Sequence, residues 1–188
     1  METCDAGFIC FTDAAEWEAW LAGEHDRSTG VWLLISKKGA ADKGITIGEA
    51  LDAALCFGWI DSHRKGYDEQ HYLQRYSPRR PKSPWSQVNV EKAEALIAAG
   101  RMREPGLAAI RAAEADGRWA SAYQRQRDAT VPPDLAAALA ADGLALDHFE
   151  RLDRTRQYAL LLRLMKARTP DSRAAQLAQI VADLAQAS

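Results

Sequence analysis

An α+β fold is what this sequence predicts: a small antiparallel sheet with a β-hairpin, packed by helices and followed by a C-terminal helical cap. Three observations predict it. Strand-type runs at 31–35, 59–63 and 71–76 crowd into one short stretch, each bounded by turn residues. Capping-box patterns, Asp13 with Glu16 and Thr46 with Glu49, open helices among them. Beyond Pro132-Pro133 the chain is alanine-rich and carries helix signals without strand signals.

Taken in order, residues 8–11 are a short expected strand leading into a helix over 14–22, on which Trp17, Trp20 and Leu21 share a face. Gly30 ends a polar loop, and Val31-Trp32-Leu33-Leu34-Ile35 reads as a strand closed by Lys37-Lys38-Gly39. Thr46 opens a helix over 47–57 with Leu51, Ala54 and Leu55 as its buried stripe, and Gly58 breaks it. Residues 59–63 and 71–76 are then paired strands about the turn-like Lys65-Gly66-Tyr67-Asp68. From Ser77 to Ser86, Pro78, Pro81 and Pro84 exclude helix and central strand. Asn89 is expected to cap a helix that Gly100 stops, Pro105 to open another ending near Gly117, and 119–127 to be weakly helical. Thr130-Val131-Pro132-Pro133 marks a boundary. Residues 1–129 then form an α+β core with a basic proline-rich loop, and 130–188 a helical extension packed on it. Helices are expected there at 133–141, 147–152, 154–166 and 170–185.

Composition narrows the function classes. A net charge of −2 over 188 residues supplies no global field toward nucleic acid or membrane, so nucleic acid is disfavoured as a partner. Cys4, Cys10 and Cys56 are odd in number and not spaced as metal ligands, which fits a reducing compartment better than a disulfide framework. The opening Met1-Glu2-Thr3-Cys4-Asp5 is not a signal peptide, and the apolar runs are far too short to span a bilayer. A cytoplasmic protein is expected.

The informative stretch is 57–89. Arg75, Arg79, Arg80 and Lys82 lie close together with no acid among them, in a loop that proline stiffens. A stiff loop loses less entropy on binding. Arginine forks suit carboxylate or phosphate, and the helix start at Asn89 adds free N–H groups. The alternative is that these arginines pair with Asp61, Asp68 or Glu69. Trp59 and Trp85 either wall a ring-bearing ligand or pack in the core. Asp61 and His63, two apart on a strand, share a face and could act as acid and base, against the plainer reading of Asp61 bridged to an arginine. Cys56, beside aromatic residues at a helix end, reads as a small buried hydrophobe. His25, His63, His71 and His148 lack metal spacing, so neither a metal site nor a cofactor is expected. There is also no glycine-rich phosphate loop and no GxSxG elbow.

Val31-Trp32-Leu33 through Lys37-Lys38, Cys56-Phe57-Gly58-Trp59-Ile60-Asp61, and Pro78-Arg79-Arg80-Pro81-Lys82-Ser83-Pro84-Trp85-Ser86 with Asn89 form an ordered signature. Gly100-Arg101-Met102 and Gly106-Leu107 continue it. By these motifs the chain resembles the YdeI/OmpD-associated (OmdA-like), bacteriocin-protection family over residues 11–181. The resemblance implies a fold and a theme, tolerance of bacteriocins, antimicrobial peptides or envelope stress, and brings no catalytic residues. The reading is therefore a stress- or bacteriocin-protection-type binding protein in bacteria. Its ligand would be an anionic or aromatic small molecule, or an acidic peptide, held by Lys37, Trp59, Asp61, Arg75, Arg79, Arg80, Lys82, Trp85 and Asn89. The alternatives are an enzyme using Asp61 and His63 in the same pocket, and nucleic-acid binding by the hairpin and loop.

Overall fold

The structure, a computed structural model, describes residues 2–4, 7–40 and 44–187, with the side chains of 2–4 set aside. The elements in chain order are β1 (Glu2–Cys4), β2 (Phe8–Cys10), α1 (Ala14–Glu24), β3 (Val31–Ser36), α2 (Ile47–Cys56), β4 (Trp59–Gly66) and β5 (His71–Pro78). They continue as α3 (Gln87–Ala98), α4 (Glu104–Ala115), α5 (Pro133–Ala140), α6 (Gly143–Arg151), α7 (Arg154–Met165) and α8 (Pro170–Ala185). Contacts divide the chain into two units. The first holds the residues up to Ser83 with Asn89–Trp119, and the second holds Pro84–Val88 with the residues from Ala120 on.

In the first unit the five strands lie in the order β1-β2-β3-β5-β4. The class is α+β, but the sheet is mixed where an antiparallel one was expected: β2 and β3 run parallel, with Ile9 opposite Leu33. The reason is connectivity. Residues 11–30 form a crossover through α1 that carries the chain back before β3 begins, and a parallel pair needs such a crossover. The other neighbours are antiparallel. β5 sits between β3 and β4, pairing with β3 from Val31↔Tyr76 to Ser36↔His71 and with β4 from Trp59↔Pro78 to Gly66↔Tyr72.

That register sorts the side chains. Leu33, Ile35, Trp59 and Tyr76, all 0–1 % exposed, share one face of the sheet, and Trp17 and Leu21 of α1 and Ala50, Ala53 and Ala54 of α2 are buried as fully. Trp17 sits at the centre of an aromatic cluster, with ring centroids 5.4 Å from Phe11, 5.2 Å from Trp20, 6.2 Å from Trp59 and 5.9 Å from Tyr76. Its indole N–H donates to Ala50 O at 3.1 Å, so the polar tip is satisfied inside the core. The capping box forms as the sequence predicts at Thr46. At Asp13 the cap forms, accepting from Glu16 N, but the Glu16 carboxylate accepts from Thr12 N and not from Asp13 N, so the box is not closed.

The signature glycines are close-approach devices. At Gly106 an added Cβ would stand 2.5 Å from Cys56 O and 2.7 Å from Leu55 O, so α4 crosses the end of α2 with nothing but hydrogen between the backbones. Gly58, at φ +71, turns the chain out of α2 into β4 under Pro105 O.

In the second unit, Leu135, Leu139, Phe149, Leu161, Leu164, Ile180 and Leu184 form the core of a helical bundle. The Arg173 guanidinium donates to both oxygens of Asp134, at 2.7 and 3.0 Å, and to Leu164 O at 2.9 Å, which ties α8 to α5 and the end of α7. Residues 119–127, expected to be weakly helical, are turns and extended chain instead. Tyr123 bridges in parallel to Ser86, accepting from Gln87 N at 3.0 Å and donating through its own N–H to Trp85 O at 3.0 Å. The proline-rich segment supplies backbone partners that outcompete a helix. Among the described residues, no helix is long and apolar enough to cross a membrane.

Candidate functional site

The basic loop leaves β5 at Pro78 and is fastened at both ends. Arg79 N–H donates to Gly58 O at 3.0 Å. At the far end, Arg118 donates through Nη1 to Ser83 O at 2.9 Å. Arg118 is itself 9 % exposed, held by Asp116 through Nε at 2.7 and 2.8 Å and bonded through Nη2 to Ala112 O. Sequence reasoning missed this anchor. Its signal was the Asp116-Gly117-Arg118 turn just past α4, which places a guanidinium back over the helix end.

Between the two anchors Ser83 N–H donates to Arg80 O at 3.0 Å, closing a four-residue turn with Pro81 second and Lys82 third. Proline at the second position with a positive φ at the third is the type II pattern. The third position is usually glycine or asparagine. Here it is Lys82, at φ 68, the one non-glycine residue with positive φ among the described residues. Arg80, Pro81 and Lys82 are all exposed. The braced loop thus presents two cations at its tip, one on strained backbone.

Arg75 lies half-buried one turn of the pleat below, with its guanidinium against the backbone of Gly30, where an added Cβ would meet Arg75 Nη2 at 2.9 Å and Tyr76 O at 2.8 Å. Among the described residues no carboxylate pairs with Arg75 or Arg80. Many arginines elsewhere in the chain do have one: Arg101 has Glu18, Arg111 has Glu104, Arg163 has Asp183 and Arg173 has Asp134. Arg79 is half-buried, with Nε and Nη2 enclosed.

The remaining residues of the expected site are not gathered here. Lys37 stands past Ser36, which pairs with His71, whereas the loop leaves β5 at Pro78. Seven residues of strand, roughly 23 Å at about 3.3 Å each, separate them. Its ammonium donates to Asp68 O at 2.8 Å and Glu69 O at 3.2 Å, bracing the hairpin turn. Lys37 also lines a cavity of about 560 Å³ with Thr12, Asp13, Lys38 and Glu49. The helix caps there already answer their own amides, Asp13 accepting from Glu16 N and Thr46 from Glu49 N. Trp59 is 1 % exposed, its N–H given to His25 O at 3.1 Å, and Trp85, 2 % exposed, belongs to the second unit. Neither indole offers a ligand a face, because each is enclosed by its own core. Asn89 lies inside the first turn of α3, which starts at Gln87, so it is not the cap.

Asp61 is half-buried and its carboxylate, among the described residues, makes no hydrogen bond or ion pair; the arginine bridge expected for it does not form. A β-bulge between Asp61 and Arg64 breaks the alternation that would have put Asp61 and His63 on one face. Asp61 pairs with Tyr76 and Arg64 with Gln74, so these two share the face instead. Cys56 is 1 % exposed, and burial, partly offset by Arg101, pushes its thiol pKa up to about 11. It sits as a small buried hydrophobe whose thiol keeps its proton. Among the described residues no group of His, Cys, Asp and Glu could hold a metal ion.

Comparison with known families adds two findings. A model described as "Domain of unknown function (DUF8412)" matches residues 9–109, and one described as "Bacteriocin-protection, YdeI or OmpD-Associated" matches residues 128–187. The family expected from the sequence is therefore matched, but on the helical C-terminal part. The motifs that carried the resemblance, at 56–61 and 78–86, lie in the segment matched by the other model. No curated protein and no solved structure matches the chain.

Proposed function

Because this chain belongs to the family described as "Domain of unknown function (DUF8412)", with a bacteriocin-protection, YdeI-type segment after it, we propose that it is a protective binding protein. Its ligand is an anion, a carboxylate- or phosphate-bearing small molecule or acidic peptide segment, met by the loop that carries Arg79, Arg80 and Lys82, with Arg75 on the strand before it. The observation that carries this reading is Lys82 at φ 68 on the exposed tip. Glycine would adopt that backbone at lower cost. A lysine there, between anchors that hold the loop still, brings a positive charge to the exposed tip of the turn. Arg75 and Arg80, without acidic partners among the described residues, add donors suited to bidentate capture. The C-terminal match supports a bacteriocin-protection role in general terms.

Isothermal titration with inorganic phosphate, citrate and a short polyglutamate tests the reading. Charge-assisted hydrogen bonds contribute about 1.5–3 kcal/mol each. An Arg79→Ala/Arg80→Ala double variant should therefore lose at least tenfold in affinity for whichever probe binds, and Arg80→Ala alone, at an exposed position, should lose affinity with an unchanged thermal midpoint. Equal heats from wild type and variant across all three probes would remove the proposal.

A further inference from the structure

Tyr76 is wholly enclosed, yet its hydroxyl has no hydrogen-bond partner among the described residues. Buried polar groups are rarely left so. Directly across the β4–β5 ladder is Asp61, half-buried, its carboxylate likewise without a hydrogen bond or ion pair among the described residues. Opposed side chains in an antiparallel pair have Cβ atoms roughly 4.5–5.5 Å apart. Most other polar groups on this face are accounted for. Arg64 lies over the Tyr72 ring at 4.3 Å and donates through Nε to Gln74 Oε1 at 3.1 Å. Gln74 donates to His63 O at 3.1 Å, and Asp52 of α2 holds Lys92 at 2.6 Å. Burial first, and then the Asp61 charge, raise the Tyr76 pKa far above its usual range, so the phenol keeps its proton.

We infer that Asp61 and Tyr76 together hold one hydroxyl oxygen, which donates to the Asp61 carboxylate and accepts from the Tyr76 O–H. The two ends decide the chemistry. An ionised carboxylate accepts only, and a protonated phenol needs an acceptor for its proton. An ammonium group would satisfy Asp61 and leave that proton unmet. A carboxylate or phosphate would meet the proton and face repulsion from Asp61. A hydroxyl group, whether of water or of an alcohol such as a polyol, meets both. The site takes the opposite class of ligand from the anion loop.

A crystal structure of the full chain grown without polyols, together with saturation-transfer NMR using sorbitol as probe, tests this. The expected result is an ordered oxygen about 3 Å from both Asp61 Oδ and Tyr76 Oη. If the oxygen is present and sorbitol gives no signal, the source is water. If sorbitol gives a signal in wild type that Tyr76→Phe and Asp61→Ala both abolish, the source is an alcohol ligand. With the oxygen held, Tyr76→Phe lowers the melting temperature. No oxygen between the two groups, no sorbitol signal and a Tyr76→Phe variant that melts higher than wild type would overturn the inference. Asp61→Ala, at a half-exposed position, keeps the test available if Tyr76→Phe does not fold.

Discussion

Lys82 is the residue at which local backbone cost and surface charge are in open conflict. Left-handed backbone costs a non-glycine residue roughly 1–2 kcal/mol, and glycine returns about 0.5–1 kcal/mol of that as unfolded-chain entropy. Lys82→Gly should therefore stabilise the chain by about 0.5–1 kcal/mol in urea denaturation while weakening anion binding. A variant that gained stability and bound as tightly as wild type would show that the lysine is incidental. Cys56 makes a second residue-scale test. With its thiol pushed up to about 11 by burial, iodoacetamide at pH 8 should leave it unmodified in the native chain and alkylate it in guanidinium, as read by peptide mapping. Rapid native alkylation of Cys56 would mean the end of α2 opens far more readily than its packing suggests. Of the candidate residues, Arg80 and Lys82 were legible as exposed cations from the proline pattern alone. Trp59 was not legible as core, because an indole beside a glycine break reads equally well as a wall. Its burial is decided by Trp17 on a helix far away in sequence.

At the scale of elements, the α2–α4 crossing depends on the absence of one methyl group. Gly106→Ala would drive a Cβ into Cys56 O and Leu55 O, backbone atoms that cannot rotate away. Overpacking of this kind costs about 1–3 kcal/mol. Gly143→Ala, at the start of α6 with nothing within 4 Å of the added atom, is the matched control and should be neutral or mildly stabilising. Parallel urea titrations would check both, and equal effects would contradict the close crossing. The start of α2 has a pH signature. Hydrogen bonds from the Thr46 hydroxyl and N–H, at 2.7 and 3.0 Å, hold Glu49 below its ordinary pKa. A depressed folded pKa means stability that is present above the unfolded value, about 4.3, and lost as pH falls through the folded one. Glu49→Ala should thus cost stability at pH 7 and almost nothing at pH 2. Caps were among the most legible parts of the sequence, since four residues suffice to define them: Asp13 and Thr46 both cap as read. Strand direction was not, because Ile9 finds Leu33 only through a crossover whose return path no local pattern encodes. Nor was the fate of 119–127, whose partner is the backbone of Trp85 and Gln87.

Across the whole molecule, two matched segments, 9–109 and 128–187, lie almost wholly within the two contact units. The exception is residues 84–88, which fall inside the first match yet keep their contacts with the second unit. The class and the helical character of the C-terminal part were readable from periodicity and proline punctuation. The dispersal of the expected site was not. Lys37 and Arg80 look close in a list of cations, and only the antiparallel register puts them at opposite ends of β5.

The place of β5 has a consequence for the order of assembly. β3 is made early in the chain but finds no neighbour on one side until residue 78, because β4 lies beyond β5 rather than beside it. The hairpin is local and β3 is distant, so closing the hairpin should precede its docking. Asp68 accepts from Gln70 N at 2.7 Å and His71 N at 2.6 Å and so shapes the hairpin turn. Asp68→Ala should then slow refolding in stopped-flow tryptophan fluorescence and leave the unfolding rate nearly unchanged. If unfolding accelerates instead, the turn closes late, and the sheet must be nucleated from its parallel side.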